Sequence, residues 1–264
     1  MKNLTITLTI LCAFAALVYA GPEQLSSGKE MKQVATAPAP ACPNWAGFYI
    51  GGFGGYKYGS NDITLDLGGD WDQRAPQERD ALEAAASRDL NTSGAELGGL
   101  LGFNWQFNNW VFGVEASGGY LWLRDSNQLI AGVINDYDVR TSLKTHYLST
   151  IAPRFGYAMC RWLPYVTGGV AIGDIDFDQS FFTGGRNPGF GQGGSQSETQ
   201  IGWMVGGGLE YALTDHWRMR GQYQYIDLGC VDFNTTFNVQ PTFTGNHEAC
   251  LQEHNVSFAI IYGF

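Results

Sequence analysis

The sequence is short of charge, and what charge it has is lopsided. In 264 residues, 15 Lys and Arg stand against 25 Asp and Glu, giving a net charge of -10, and charged residues make up only 15%. No run of Lys and Arg is present to track a phosphate backbone, so nucleic acid is not expected as a partner. After the first twenty residues no apolar run reaches the ~20 residues that a membrane-spanning helix needs. Histidine occurs only at His146, His216, His247 and His254. None of these stands in a Ser, His and acid arrangement, so no catalytic residue is assigned and no enzymatic activity is expected. The 36 glycines do not read as a phosphate cradle. No helix signal follows them and aromatics alternate through them, so no nucleotide and no other cofactor is expected.

What is present is aromatic and organised. Residues 1–20 read as a signal peptide, with Lys2 as the positive end, an apolar stretch from Leu4 to Val18 and a small-residue cleavage site at Val18-Tyr19-Ala20. The alternative, an uncleaved anchor, is disfavoured by the length of the stretch. Residues 21–44, with Ala37-Pro38-Ala39-Pro40, read as an extended periplasmic linker. From residue 45 to residue 264 the pattern changes to two-residue alternation, interrupted by polar, Gly-rich stretches.

The clearest alternation runs from Ser93 to Phe107. Leu97, Leu101, Phe103, Trp105 and Phe107 share one face and Glu96, Gly98, Asn104 and Gln106 the other, which only a strand achieves. Asn108-Asn109 is a turn signal, and Trp110 to Leu123 returns the chain. The same form recurs in Lys144 to Tyr157 with Leu163 to Gly173, and in Thr199 to Leu213 with Trp217 to Asp227. Trp45 to Lys57 and Glu253 to Phe264 supply a first and a last strand. Long connections at 58–92, 124–143, 174–198 and 228–252 alternate with short ones near 108, 160 and 215. The fold class is therefore all-β: an eight-stranded antiparallel transmembrane up-and-down β-barrel with four long extracellular loops and short periplasmic turns. Trp105, Trp110, Tyr157 and Trp217 near the short turns, and Tyr56, Tyr120, Trp122 and Tyr147 near the long loops, form the two interfacial girdles. A soluble lipocalin-like barrel shares the strand count but puts its apolar row inside. In the first loop a short helix is expected from Pro76 to Leu90, in an acidic, solvated setting that shields against lipopolysaccharide or, alternatively, meets cations or a host surface.

The segments WAGFYIGGFGGY at Trp45 to Tyr56, APRFGYAM and LPYVTGGVAIG around Arg154 to Gly173, and IGWMVGGGLEYALTDHWRMRGQYQYIDLG from Ile201 to Gly229 resemble porin-family or opacity-type small outer-membrane β-barrels, related in architecture to the OmpA barrel. The resemblance implies residence in the outer membrane of a Gram-negative bacterium, among lipid and lipopolysaccharide. It also implies that the terminal row Val256, Phe258, Ile260, Tyr262 and Phe264 is an assembly signal, carried chiefly by Tyr262 and Phe264, for the barrel-assembly machinery. A monomer is expected.

Alternation places Glu96, Glu115, Arg154, Glu210, Arg218 and Arg220 on the lumen-facing rows. Buried charges must be paired. All but Glu96 lie near the short-turn ends, so one cluster in the periplasmic half of the lumen is expected. It acts either as a structural plug or as a gate for small solutes. The four mature cysteines allow three pairings. Cys42 and Cys160 fall on the periplasmic side and Cys230 and Cys250 outside, about 25 Å of apolar band away, so Cys42–Cys160 and Cys230–Cys250 are expected, with free thiols as the alternative. A metal on Cys230, His247, Cys250 and His254 is disfavoured by the irregular spacing, and no metal site is assigned. The expected role is that of a structural surface protein supporting envelope integrity, with a narrow porin or an adhesive, ligand-binding surface as alternatives.

Overall fold

A computed structural model describes residues 42–123, 126–130, 133, 137–183, 191–236 and 242–264. The signal peptide and all but the last residues of the linker lie outside the described residues. Ten strands form one antiparallel sheet: β1 (Gly47–Gly69), β2 (Arg88–Phe107), β3 (Trp110–Leu123), β4 (Ser126–Ile130), β5 (Tyr137–Lys144), β6 (Tyr147–Tyr157), β7 (Trp162–Thr183), β8 (Gly191–Ala212), β9 (Trp217–Thr236) and β10 (Phe243–Gly263). Two helices, α1 (Asp70–Arg74) and α2 (Pro76–Ala86), lie between β1 and β2. Eight strands close a ring in the order β7-β6-β3-β2-β1-β10-β9-β8, sealed by the β7–β8 pairing, with β5 and β4 extending outward beside β7.

The turns follow from local chemistry. Asn108 and Cys160 take positive φ in the β2–β3 and β6–β7 connections, which tightens both hairpins; asparagine tolerates that region well. Along each strand the two faces separate cleanly. Phe258 is 71% exposed, Ile201 70% and Leu101 64%, whereas Trp45, Lys57 and Ile226 are fully buried. Large apolar side chains on the outer face of a closed barrel belong to lipid, not water. This band ends at Tyr58, Trp122, Tyr147 and Trp203, beyond which the outer face of β1 carries Ser60, Asp62, Thr64 and Asp66.

The strands are longer than the sequence pattern indicates. Six of them run 20 to 23 residues, about twice the 9–11 that cross a bilayer. Much of the sequence at 58–69, 174–183, 191–198, 228–236 and 243–252, expected as loop, is paired strand. In this outer half the ring divides. No ladder joins β8 to β9 beyond Trp203 and Asp227 among the described residues, and β5 replaces β6 beside β7 from Lys144 onward. The result is two four-stranded sheets, β4-β5-β7-β8 and β9-β10-β1-β2, facing each other over an apolar core. A bulge where Gly229 takes φ 77° and the β10 register shifts between Leu251 and Gln252 turns β9 into this arrangement. Helices α1 and α2 pack into the far end through Trp71, Leu82, Ala85 and Ala86, against Leu65, Leu67, Val139 and Phe181. Pro76 starts α2 as expected, but the helix ends at Ala86, because Arg88 already pairs with Ile63 as the first residue of β2.

Candidate functional site

The lumen-facing row of β1 reads the barrel interior from mouth to cap: Trp45 just before the strand, then Tyr49, Phe53, Lys57, Asn61, Ile63, Leu65 and Leu67. Each marks a layer.

At the periplasmic mouth Trp45 is fully buried among Val111, Ala158, Leu163 and Ala212. Its indole N–H donates to the Cys160 carbonyl at 3.1 Å and its backbone N–H to Gln106 Oε1 at 2.8 Å. Arg218 lies over the indole, its guanidinium carbon 4.7 Å from the ring centre, and donates to the Asn44 carbonyl at 3.2 Å.

Above it Glu115, Arg154, Glu210 and Arg220 form a balanced set of two acids and two bases from β3, β6, β8 and β9. Arg220 Nη1 and Nη2 donate to the two Glu115 oxygens at 2.7 and 2.6 Å, and Arg220 Nε donates to Glu210 Oε1 at 2.9 Å. Arg154 Nη2 donates to the same Glu210 oxygen, and Arg154 Nη1 donates to Glu115 Oε2 at 3.4 Å. Two tyrosines complete the layer. The Tyr49 hydroxyl donates to Glu115 Oε2 at 2.7 Å, and the Arg154 guanidinium lies 4.1 Å above the Tyr165 ring. Glycine makes room for both rings. A side-chain carbon at Gly102 would collide with the Tyr49 hydroxyl, and one at Gly208 with that of Tyr165.

Arg218, expected in this cluster, stands beside it, and Glu96, the lumen-facing acid set apart from the short-turn ends, lies in another layer. Arg218 has no carboxylate within ion-pair distance among the described residues, because its place on β9 is one lumen step nearer the mouth than Arg220. Glu96 belongs to a second ionic layer further out. There Lys57 Nζ, fully buried, lies 3.6 Å from Glu96 Oε1 and 3.5 Å from Glu253 Oε2. Asn255 Nδ2 donates to Glu96 Oε2 at 2.9 Å and to Gln224 Oε1 at 3.3 Å. Lys57 and Glu253 were legible from alternation as lumen positions, but each sat at the assigned end of a strand and read as a terminus. Beyond this layer the interior is mainly apolar, with Ile63, Leu121, Ile175, Phe177, Ile226, Leu228 and Leu251 in one cluster, and it also buries Asn61, Gln179, Gln192 and His247 below the helix cap.

Cys42 is bonded to Cys160 and Cys230 to Cys250, with Cα separations of 4.6 and 3.9 Å. The first holds the chain before β1 against the β6–β7 turn. The second joins direct cross-strand partners of β9 and β10, so it staples two paired strands and does not close an open loop. The alternative metal set does not converge: His247 is buried in the interior, while His254 lies on the outer face stacked on Tyr58 at 5.0 Å. Outside the barrel His146 Nδ1 lies 3.0 Å from Asp174 Oδ2 and 3.4 Å from Asp176 Oδ2. Asp174 Oδ1 accepts the backbone N–H groups of His146 and Tyr147, so this group caps the break between β5 and β6. Tyr262 and Phe264 lie at the end of β10, their rings 5.2 Å apart, and the Phe264 N–H donates to the Phe48 carbonyl at 3.0 Å.

The chain is similar to the 31 kDa outer-membrane immunogenic protein of Brucella melitensis biotype 1, 29% identical over 202 residues that cover 74% of this chain and 77% of the relative. It is also similar to the 22 kDa outer membrane protein of Rhizobium leguminosarum bv. viciae, 28% identical over 198 residues, 75% of this chain and 71% of the relative. Among solved structures, the outer membrane protein OprG from Pseudomonas aeruginosa aligns over 84% of this chain and 99% of its own, with 15% identity and a TM-score of 0.42. The model of the outer membrane protein beta-barrel domain matches residues 33–244. With most of its length inside that match and a ring of eight strands banded by lipid-facing aromatics, this chain belongs to the outer membrane protein beta-barrel domain family and resides in the outer membrane of a Gram-negative bacterium.

Proposed function

We propose that the protein is a sealed, non-enzymatic barrel that supports the envelope structurally and displays its long outer half at the cell surface. The observation that carries this reading is the continuous filling of the lumen. Trp45, the Glu115–Arg154–Glu210–Arg220 layer, the Lys57–Glu96–Glu253 layer, the apolar core and the helix cap succeed one another along a single strand's inward row. A small barrel has an interior that side chains can fill. A solute path needs a wet route past each layer, and the carboxylates that chemistry would call on are engaged by neighbouring cations. This favours a plug over a gate in the ionic layers and disfavours a narrow porin.

The Brucella relative is called immunogenic, and the polar outer faces of β1, β7, β9 and β10 beyond the aromatic band supply the surface an antibody would meet. Tyr262 and Phe264 suit delivery to the barrel-assembly machinery, with surrounding lipid and lipopolysaccharide as the remaining partners of a monomer. Deletion of the gene tests the structural role. The expected outcome is increased sensitivity to detergents and bulky antibiotics with unchanged uptake of small solutes. Reduced small-solute uptake with an intact permeability barrier would support the porin reading instead.

A further inference from the structure

Among the described residues, the outer half buries one titratable side chain that belongs to neither ionic layer. His247 of β10 is fully buried between the two outer sheets, stacked on Phe233 at 4.7 Å with the rings 9° apart, and near Phe181 at 6.5 Å. Both ring nitrogens are engaged: Nδ1 lies 2.7 Å from Gln179 Oε1 of β7 and Nε2 lies 2.8 Å from Thr235 Oγ1 of β9.

Two backbone carbonyls fix the direction of this chain of hydrogen bonds. Gln179 Nε2 donates to the Ala86 carbonyl at the end of α2 at 3.3 Å and to Thr141 Oγ1 at 3.1 Å. Its Oε1 must therefore face His247, and Nδ1 must carry the proton. At the other end Gln192 Nε2 of β8 donates to the Thr235 carbonyl at 2.9 Å and to Thr235 Oγ1 at 2.8 Å. The Thr235 hydroxyl accepts that bond and, with Nε2 unprotonated, donates its one hydrogen there at 2.8 Å and not to the Gly245 carbonyl at 3.5 Å. The chain runs from β8 through β9, β10 and β7 to α2, and it holds in this form only while the imidazole is neutral. It also spans the gap where β8 and β9 have no ladder, so the Gln192–Thr235 bonds take the place of strand pairing there.

A second proton on the ring would reverse the Nε2 bond and leave a charge inside with no counter-ion. Asp66, Arg140, Asp178, Asp232 and Glu248, on the strands around it, all lie on the outward faces. Glu83 of α2 is engaged with the Leu67 N–H at 2.8 Å. We propose that His247 is a proton-sensitive latch: neutral, it clamps the two outer sheets and helix α2 together, and charged, it releases the helix cap from the outer end of the barrel. Burial without a compensating charge pushes the imidazole down to about 4, so release belongs to acid surroundings, with the barrel within the membrane left intact.

The test is amide hydrogen exchange on the full mature chain refolded in detergent, between pH 7 and pH 3.5, corrected for intrinsic rates. In the wild-type protein, residues 76–86 and 191–200 are expected to lose protection at least tenfold as the pH falls from 6.5 to 4. His247→Gln, which cannot take up the proton, should show no such loss, and the membrane-spanning segments should stay protected in both. Equal loss in His247→Gln, or none in the wild type, would overturn the proposal. If His247→Gln lacks a protected cap at pH 7, nuclear magnetic resonance titration of the wild-type ring decides. A ring still neutral at pH 5 supports the latch, and one that charges near its ordinary 6.5 overturns it.

Discussion

Glu210 and Arg220 are direct cross-strand partners of β8 and β9, and Arg220 Nε donates to Glu210 Oε1 at 2.9 Å. Arg154 shares that oxygen from β6, across the lumen. One carboxylate thus ties together three strands of the ring, and the desolvation of each charge is compensated only while all of them are present.

Glu210→Ala should therefore lower stability by about 3–5 kcal/mol, because the Arg154 and Arg220 charges are left under-compensated in a closed space. Arg218→Ala should cost far less, about 1 kcal/mol, since it loses mainly the contact with the Trp45 ring. Urea unfolding in detergent micelles measures both. Equal midpoints for the two variants would contradict the layer assignment.

The second layer holds two carboxylates against one ammonium. Lys57→Met alone should destabilise by about 3 kcal/mol or more, as it leaves Glu96 and Glu253 without their cation. Adding Glu96→Gln and Glu253→Gln should restore most of the loss, because neutral amides remove the unpaired charge. A triple variant no more stable than Lys57→Met would show that the three do not act as a unit.

Non-reducing peptide mapping should yield Cys42 linked to Cys160 and Cys230 linked to Cys250. A Cys42–Cys250 or Cys160–Cys230 peptide would overturn the strand map, which holds the two pairs at opposite ends of the barrel. Cys230→Ser with Cys250→Ser should cost about 3 kcal/mol in the chain-entropy view of a loop of this size.

The buried histidine fixes a pH dependence with a definite sign. Its folded value, about 4, lies below the unfolded value of about 6.5, so the unfolded state binds the proton more readily. The stability of the outer half is then unaffected above pH 6.5 and falls as the pH drops towards 4, by ~3 kcal/mol at the limit. Thermal unfolding followed at pH 7, 5.5 and 4.5 should show this fall, and His247→Gln should flatten it. A wild-type melting temperature that rises on acidification over this range would contradict it.

Much of the barrel was legible because alternation is a local signal. Leu97, Leu101 and Trp105 on one face, with Glu96 and Asn104 on the other, can be read without knowing any partner strand. The inward side of Glu115, Arg154, Glu210, Arg218 and Arg220 followed from the same parity. What parity cannot supply is height along the barrel axis. Arg218 and Arg220 are two residues apart in sequence, yet one faces Trp45 and the other two carboxylates. The outer half was hidden for a different reason. Residues 191–198, Gly-Gln-Gly-Gly-Ser-Gln-Ser-Glu, carry no apolar row of their own. They are held as strand by pairing with β7 and by Phe233 packing against Gly194, contacts supplied by distant parts of the chain. His247 gave no sign of its role because all of its partners are remote in sequence or lie on another strand.

Single-channel recording in planar bilayers tests the sealed lumen most directly, using protein whose heat-modifiable migration shows that it is folded. A sealed lumen gives no conductance steps for the wild-type chain, and none for Arg154→Ala with Glu210→Ala, because the apolar core and helix cap still close it beyond that layer. Discrete, voltage-independent openings of the folded wild-type protein at neutral pH would contradict it.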